Sequence, residues 1–123
     1  MAKSAPANAA VWFEIPVTDM KRSIAFYGNV LGTELTLDET GPNPMALFPA
    51  AGDKSVAGHL YPGKPSAEGV GPTIHLAVAA PLEAAMERVT ENGGKVMSPV
   101  ISIPAGSFAY CVDPDGNSFG LFV

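Results

Sequence analysis

One feature restricts the fold of this 123-residue chain more than any other: it repeats itself. Displaced by 61 positions, Phe13-Glu14-Ile15-Pro16-Val17 falls on Ile74-His75-Leu76-Ala77-Val78. The same shift carries Gly32 onto Gly93, Leu35 onto Val96, Leu47 onto Phe108 and Leu60-Tyr61 onto Leu121-Phe122 without a gap. Identity between the copies is low, yet apolar positions and the glycine stay in register, the mark of a duplicated unit whose halves bury a common core.

Each copy reads as strand, helix, strand, strand, strand. In the first, Trp12 to Val17 is an extended run, and Asp19 stands as N-cap before Met20, Ile24, Tyr27 and Leu31 at helical spacing, with Gly32 as the stop. In the second, Pro81 suits a first helical turn, Leu82, Ala85/Met86 and Val89 form the apolar stripe, and Asn92-Gly93 supplies a left-handed end. Glu83, Glu87, Arg88 and Glu91 are expected to face water. Three short apolar stretches follow each helix: Glu34 to Leu37, Met45 to Phe48 and Val56 to Tyr61, then Lys95 to Val100, Ser107 to Val112 and Ser118 to Val123. Asp113-Pro114-Asp115-Gly116-Asn117 sets proline and glycine where a tight hairpin turn needs them. The predicted fold is α+β: two tandem βαβββ modules form a cupped, partly open mixed sheet, with helices on the outer face. Residues 1–10 read as a flexible tail and 11–123 as a single domain, with repeat one over about 11–61, a linker over 62–72 and repeat two over about 73–123.

Composition narrows the function. Thirteen glycines and twelve prolines, about a fifth of the chain, favour short elements over a helical bundle. Seven Lys and Arg against twelve Asp and Glu, with no basic cluster beyond Lys21-Arg22, leave no footprint for a phosphate backbone, so no nucleic acid partner is expected. Cys111 alone cannot staple the chain and sits in an apolar run, which suits inert core and a reducing, cytoplasmic location. No apolar stretch is long enough to span a membrane, and the first ten residues lack the centre of a secretory signal.

The run Phe13 to Asp19, then Ser23-Ile24-Ala25-Phe26-Tyr27 and Val30-Leu31-Gly32, resembles the opening of the vicinal oxygen chelate superfamily, which includes glyoxalase I, bleomycin-resistance proteins and extradiol dioxygenases. Glu91-Asn92-Gly93-Gly94 and Asp113 to Asn117 are similar to its landmarks in the second half. The resemblance implies a divalent metal held by four side chains, on the first, fourth, fifth and eighth strands. Counting from the motifs places those positions at Trp12, His59, Thr73 and Gly120. One imidazole among them does not hold a divalent ion, since useful sites need about three or four good ligands. No cofactor is therefore expected.

Glu14 and His75 lie two residues beyond Trp12 and Thr73, so strand alternation points them to the face of the lost ligands. They are candidate catalytic residues for proton transfer, or a structural pair closing the seam between copies. Trp12, Phe48, Phe108 and Phe122, with His59, Thr73 and Gly120, are candidate ligand-binding residues, Trp12 as a flat platform for an aromatic or planar molecule. Two readings follow. One is a metal-free binding module for a small organic molecule. The alternative is a small lyase- or isomerase-type enzyme using Glu14 and His75, with a displaced zinc, iron or nickel ion on Glu14, His59 and His75 as its variant. In short members of the superfamily a partner chain completes the half-cup, so a homodimer is expected.

Overall fold

In the computed structural model, which describes residues 4–52 and 55–123, the first three residues of the expected tail lie outside the described residues. Residues 4–10 enter no helix or strand. The first module comprises β1 (Trp12–Val17), α1 (Met20–Leu31), β2 (Thr36–Asp38), β3 (Met45–Leu47) and β4 (Ala57–Pro62). The second comprises β5 (Ile74–Ala77), α2 (Leu82–Glu91), β6 (Lys95–Val96), β7 (Ile101–Ile103), β8 (Gly106–Val112) and β9 (Ser118–Phe122). Their sheets run β1-β4-β3-β2 and β5-β9-β8-β6, with β7 also on β8. The first and last strands of each module pair in parallel, β1 with β4 and β5 with β9, and the remaining pairs are antiparallel. The repeat is thus a repeat of topology; the expected run Lys95 to Val100 is a strand only at Lys95–Val96, and β7 is an additional strand just beyond it.

Local signals act where the spacing places them. The Asp19 carboxylate accepts the Arg22 backbone N–H at 3.1 Å, capping α1, and Gly32 ends that helix at φ +68°. In α2, Leu82, Ala85 and Val89 are buried, with Pro81 at the cap and Gly93 at φ +93°. In α1 the buried face is Ser23, Phe26, Tyr27 and Val30, while Met20, Ile24 and Leu31 flank it half-buried. That face is turned relative to the expected stripe because α1 serves two sheets. Tyr27 meets Phe48 of the first module and Phe119 of the second at centroid distances of 5.5 and 5.4 Å. Arg88 also departs from the solvated face: its Nε donates to the Val30 carbonyl at 3.1 Å, closing the end of α1.

The Asp113 to Asn117 turn joins β8 to β9 with Gly116 at φ +88°, and it clasps the other module as well. Buried Asp113 accepts the Tyr27 hydroxyl at 2.7 Å, the backbone N–H groups of Asp115 and Asn117, and the Asn117 amide. Asp115 takes Arg22 at 2.8 Å and also binds Thr18, and the Asn117 amide donates to the Pro16 carbonyl at 2.8 Å. Burial and the neighbouring Asp113 charge hold the Tyr27 phenol well above its ordinary pKa.

Candidate functional site

Strand pairing decides which side chains share a face. In the first sheet Glu14 lies opposite His59, and in the second His75 lies opposite Gly120. These four positions are related by the 61-residue shift, so one backbone frame is used twice.

On the first sheet the frame carries a line of three polar side chains, joined by one hydrogen bond and one close contact. The Trp12 indole N–H donates to His59 Nδ1 at 3.0 Å. An indole nitrogen only donates, so Nδ1 is the acceptor, and His59 carries its proton on Nε2. That N–H faces Glu14 Oε1 at 3.3 Å. His59 is buried, whereas the Glu14 side chain is 63% exposed, so the line ends in a carboxylate held on one oxygen and open to solvent on its outer side. Trp12 is 49% exposed and shields the imidazole.

On the second sheet the frame carries rings. His75 packs against Phe108, Phe122 and Tyr110 at centroid distances of 4.9, 5.8 and 5.9 Å. It lies across Gly120 so closely that an added Cβ there would stand 2.2 Å from His75 Nδ1. Phe108 and Phe122 are stacked, at 5.9 Å and an interplanar angle of 6°. Thr73 contacts Ser118 through their hydroxyls at 2.6 Å.

Of the residues singled out in the sequence, the fold brings Trp12, Glu14 and His59 together on one sheet and His75, Phe108, Gly120 and Phe122 on the other. Glu14 meets His59 rather than His75, because the register pairs each strand with its own module. Phe48 lies on the helix side, against Phe13 and Tyr27. Tyr110, which the sequence reading did not single out, completes the group around His75. Its alternation with Phe108 along one strand was the available signal.

The superfamily's metal does not fit these residues. Nδ1 of His59 is occupied by the Trp12 N–H and Nε2 bears a proton, Thr73 is engaged with Ser118, and Gly120 has no side chain. Glu14, His59 and His75 do not converge either. Among the described residues no three His, Cys, Asp or Glu stand close enough to hold a metal ion. Cys111 is buried, and burial pushes its thiol up to about 11, which keeps it protonated and unreactive at neutral pH.

β1 and β5, each at the end of its own sheet, both line a cavity of about 590 Å³. Trp12, Phe13, Phe48, Ile74 and Leu76 give it an apolar wall, and Thr33, Thr73 and His75 add polar side chains. Its volume falls within the usual range of small-molecule sites. A narrower hollow of about 130 Å³ continues along the seam past Ile74 to Glu14, Pro16 and Pro72. The cavity therefore lies beside β1 and β5 rather than in the middle of the expected cup, with Leu31 and Thr33 at the end of α1 also in its lining.

Comparison with known proteins agrees with this architecture. The profile of the Glyoxalase/Bleomycin resistance protein/Dioxygenase superfamily matches residues 9–121. A glyoxylase-like domain-containing protein of Didymella fabae is 31% identical over 119 residues, covering 88% of each chain. A lactoylglutathione lyase of Salmonella typhimurium is 33% identical over 116 residues, covering 85% of this chain and 84% of its own. The crystal structure of a glyoxalase/bleomycin resistance protein from Albidiferax ferrireducens superposes with a TM-score of 0.74 at 20% identity, covering 94% and 98% of the two chains. Among the described residues no helix is long and apolar enough to cross a membrane.

Proposed function

The chain belongs to the glyoxalase/bleomycin resistance protein/dioxygenase superfamily, and from that premise we propose that it binds a small planar or aromatic molecule in the seam cavity without a metal. The observation that carries the reading is the cavity of about 590 Å³, in which the half-exposed Trp12 ring and four apolar side chains offer stacking and burial. The metal-free part rests on the donor set: the one imidazole at the superfamily's ligand positions has its lone pair committed to Trp12.

Trp12 is the only tryptophan, so its emission reports directly on the cavity. A bicyclic aromatic such as naphthalene should quench it saturably, before and after dialysis against a chelator. Ala57→Phe, which fills the cavity from β4, should abolish the response while circular dichroism stays native. Non-saturable quenching, or saturable binding that survives Ala57→Phe, overturns the proposal. Stoichiometric zinc, iron or nickel that disappears in His59→Ala would replace it with the displaced-metal enzyme.

One observation favours a second reading, proton transfer. The Trp12-His59-Glu14 line fixes a carboxylate at the narrow end of the seam with an imidazole N–H behind it, the arrangement of a general base with an orienting partner. Under that reading Glu14→Gln leaves binding intact and removes catalysed exchange of a proton next to a carbonyl. The protein forms a homodimer in this proposal, its partner covering the aromatic inner face where Ile103 and Tyr110 are exposed. Light scattering at micromolar concentration should give twice the chain mass, and a monomer overturns that part.

A further inference from the structure

The seam cavity poses a matching problem that its side chains do not solve. Of its polar side groups, the Trp12 N–H is given to His59 and the Thr73 hydroxyl shares a hydrogen bond with that of Ser118. Thr33 and His75 remain, too few to orient a molecule in a cavity of about 590 Å³. The backbone supplies what they lack. In a strand, the N–H and C=O of one residue point to the same side, and the next residue points to the other. The Val17 carbonyl accepts from Gly63, so the odd residues of β1 bond to β4. Trp12 and Glu14 therefore turn their N–H and C=O away from β4, toward the seam, and the Pro16 carbonyl on that same side is reached by Asn117 from across it. On β5 the Val78 N–H bonds to the Phe122 carbonyl, which commits the even residues to β9 and leaves Thr73, His75 and Ala77 facing the seam. Among the described residues neither edge is paired with another strand.

Trp12 on one side and Thr73, His75 and Ala77 on the other line the cavity, and Glu14 borders the narrower hollow that continues the seam, so two rows of backbone donors and acceptors look at each other along it. We propose that the seam site selects planar molecules carrying an amide-type donor and acceptor in the ring plane, such as lactams, ureides or cyclic imides, which bridge β1 and β5 as a short strand would. The apolar wall stacks the ring, and the edge amides read its rim. This rests on the seam being the binding site, and it adds the class of ligand that occupies it.

The test compares three probes of similar shape on the full chain, followed by backbone amide NMR: quinolin-2-one, its N-methyl derivative and naphthalene. Quinolin-2-one should bind about tenfold more tightly than naphthalene, as two added hydrogen bonds of ordinary net strength imply. N-methylation should remove most of that gain by deleting the donor. Amide hydrogen exchange at Trp12 and Ala77 should slow with quinolin-2-one and not with naphthalene. Equal affinity for all three, with no protection at Trp12 or Ala77, overturns the ligand class while leaving the seam site standing. Failure of every probe, naphthalene included, overturns both.

Discussion

The two modules share one strand register and have placed different chemistry on it. Opposite one another on β1 and β4 stand Glu14 and His59; at the equivalent places on β5 and β9 stand His75 and Gly120. Where position 59 carries an imidazole, the facing carboxylate lies 3.3 Å from its Nε2 and stays in solvent. Where position 120 carries only hydrogen, the facing imidazole falls across the neighbouring strand and lodges among three aromatic rings. The residue at position 59 or 120 thus sets what its facing side chain lies against, an imidazole edge on the first sheet and bare backbone on the second. The clasp between the modules is equally one-sided, because the β8–β9 turn of the second reaches Tyr27, Arg22 and Pro16 of the first.

The largest effect is expected at that clasp. Asp113→Ala strands the buried Tyr27 hydroxyl and undoes the turn, for a loss of about 3 kcal/mol or more in denaturant unfolding. A loss under about 1 kcal/mol would show that the modules hold without it. Gly120→Ala comes next: the exposed His75 ring must move off the strand, at a cost of about 1 kcal/mol. In a His75→Ala background the same change should be nearly free, and if it is not, the paired contrast between modules fails.

A pH profile sharpens the comparison further. Because burial and Asp113 raise the Tyr27 pKa, the stability it contributes is intact below the phenol's unfolded value of about 10 and is lost as pH rises beyond it. Tyr27→Phe should flatten that alkaline decline while lowering neutral-pH stability by about 1 kcal/mol, and an unchanged decline would contradict the assignment. The smallest effect is expected for Trp12→Phe, about 1 kcal/mol or less, since it removes one half-buried donor. Its signature is spectroscopic: nitrogen NMR should find His59 protonated on Nε2 in the native chain and in mixed tautomers in the variant.

Much of this was legible in the residues. The duplicated topology, both helix ends and the β8–β9 turn follow from spacing, glycine and proline, because those signals act within a few residues. Trp12, His59, Thr73 and Gly120 were singled out by the resemblance to the superfamily, counted from its motifs, and not by any local signal. What the sequence concealed was partnership between strands. Glu14 and His75 occupy equivalent positions, which invites pairing them, yet parallel pairing inside each module gives Glu14 to His59 and His75 to Gly120. Phe48 belongs to the helix side because it packs with Tyr27, whose helix spans both sheets, a long-range fact with no local trace. β7 was missed because Pro99 and Pro104 punctuate a run whose pairing with β8 comes from tertiary contact.

The facing edges of β1 and β5 bear on how the chain behaves when crowded. An open strand edge is a template on which further copies can stack, and proteins that keep one exposed tend to aggregate. Here the six-residue β1 and the four-residue β5 turn their open sides toward each other across the cavity. At the far sides of the sheets lie β2, β6 and β7, of three, two and three residues, too short to nucleate a ladder. Filling or prying open the seam would therefore change the chain's tendency to form fibrils, so that an occupant of the cavity acts as a solubilising agent as well as a ligand.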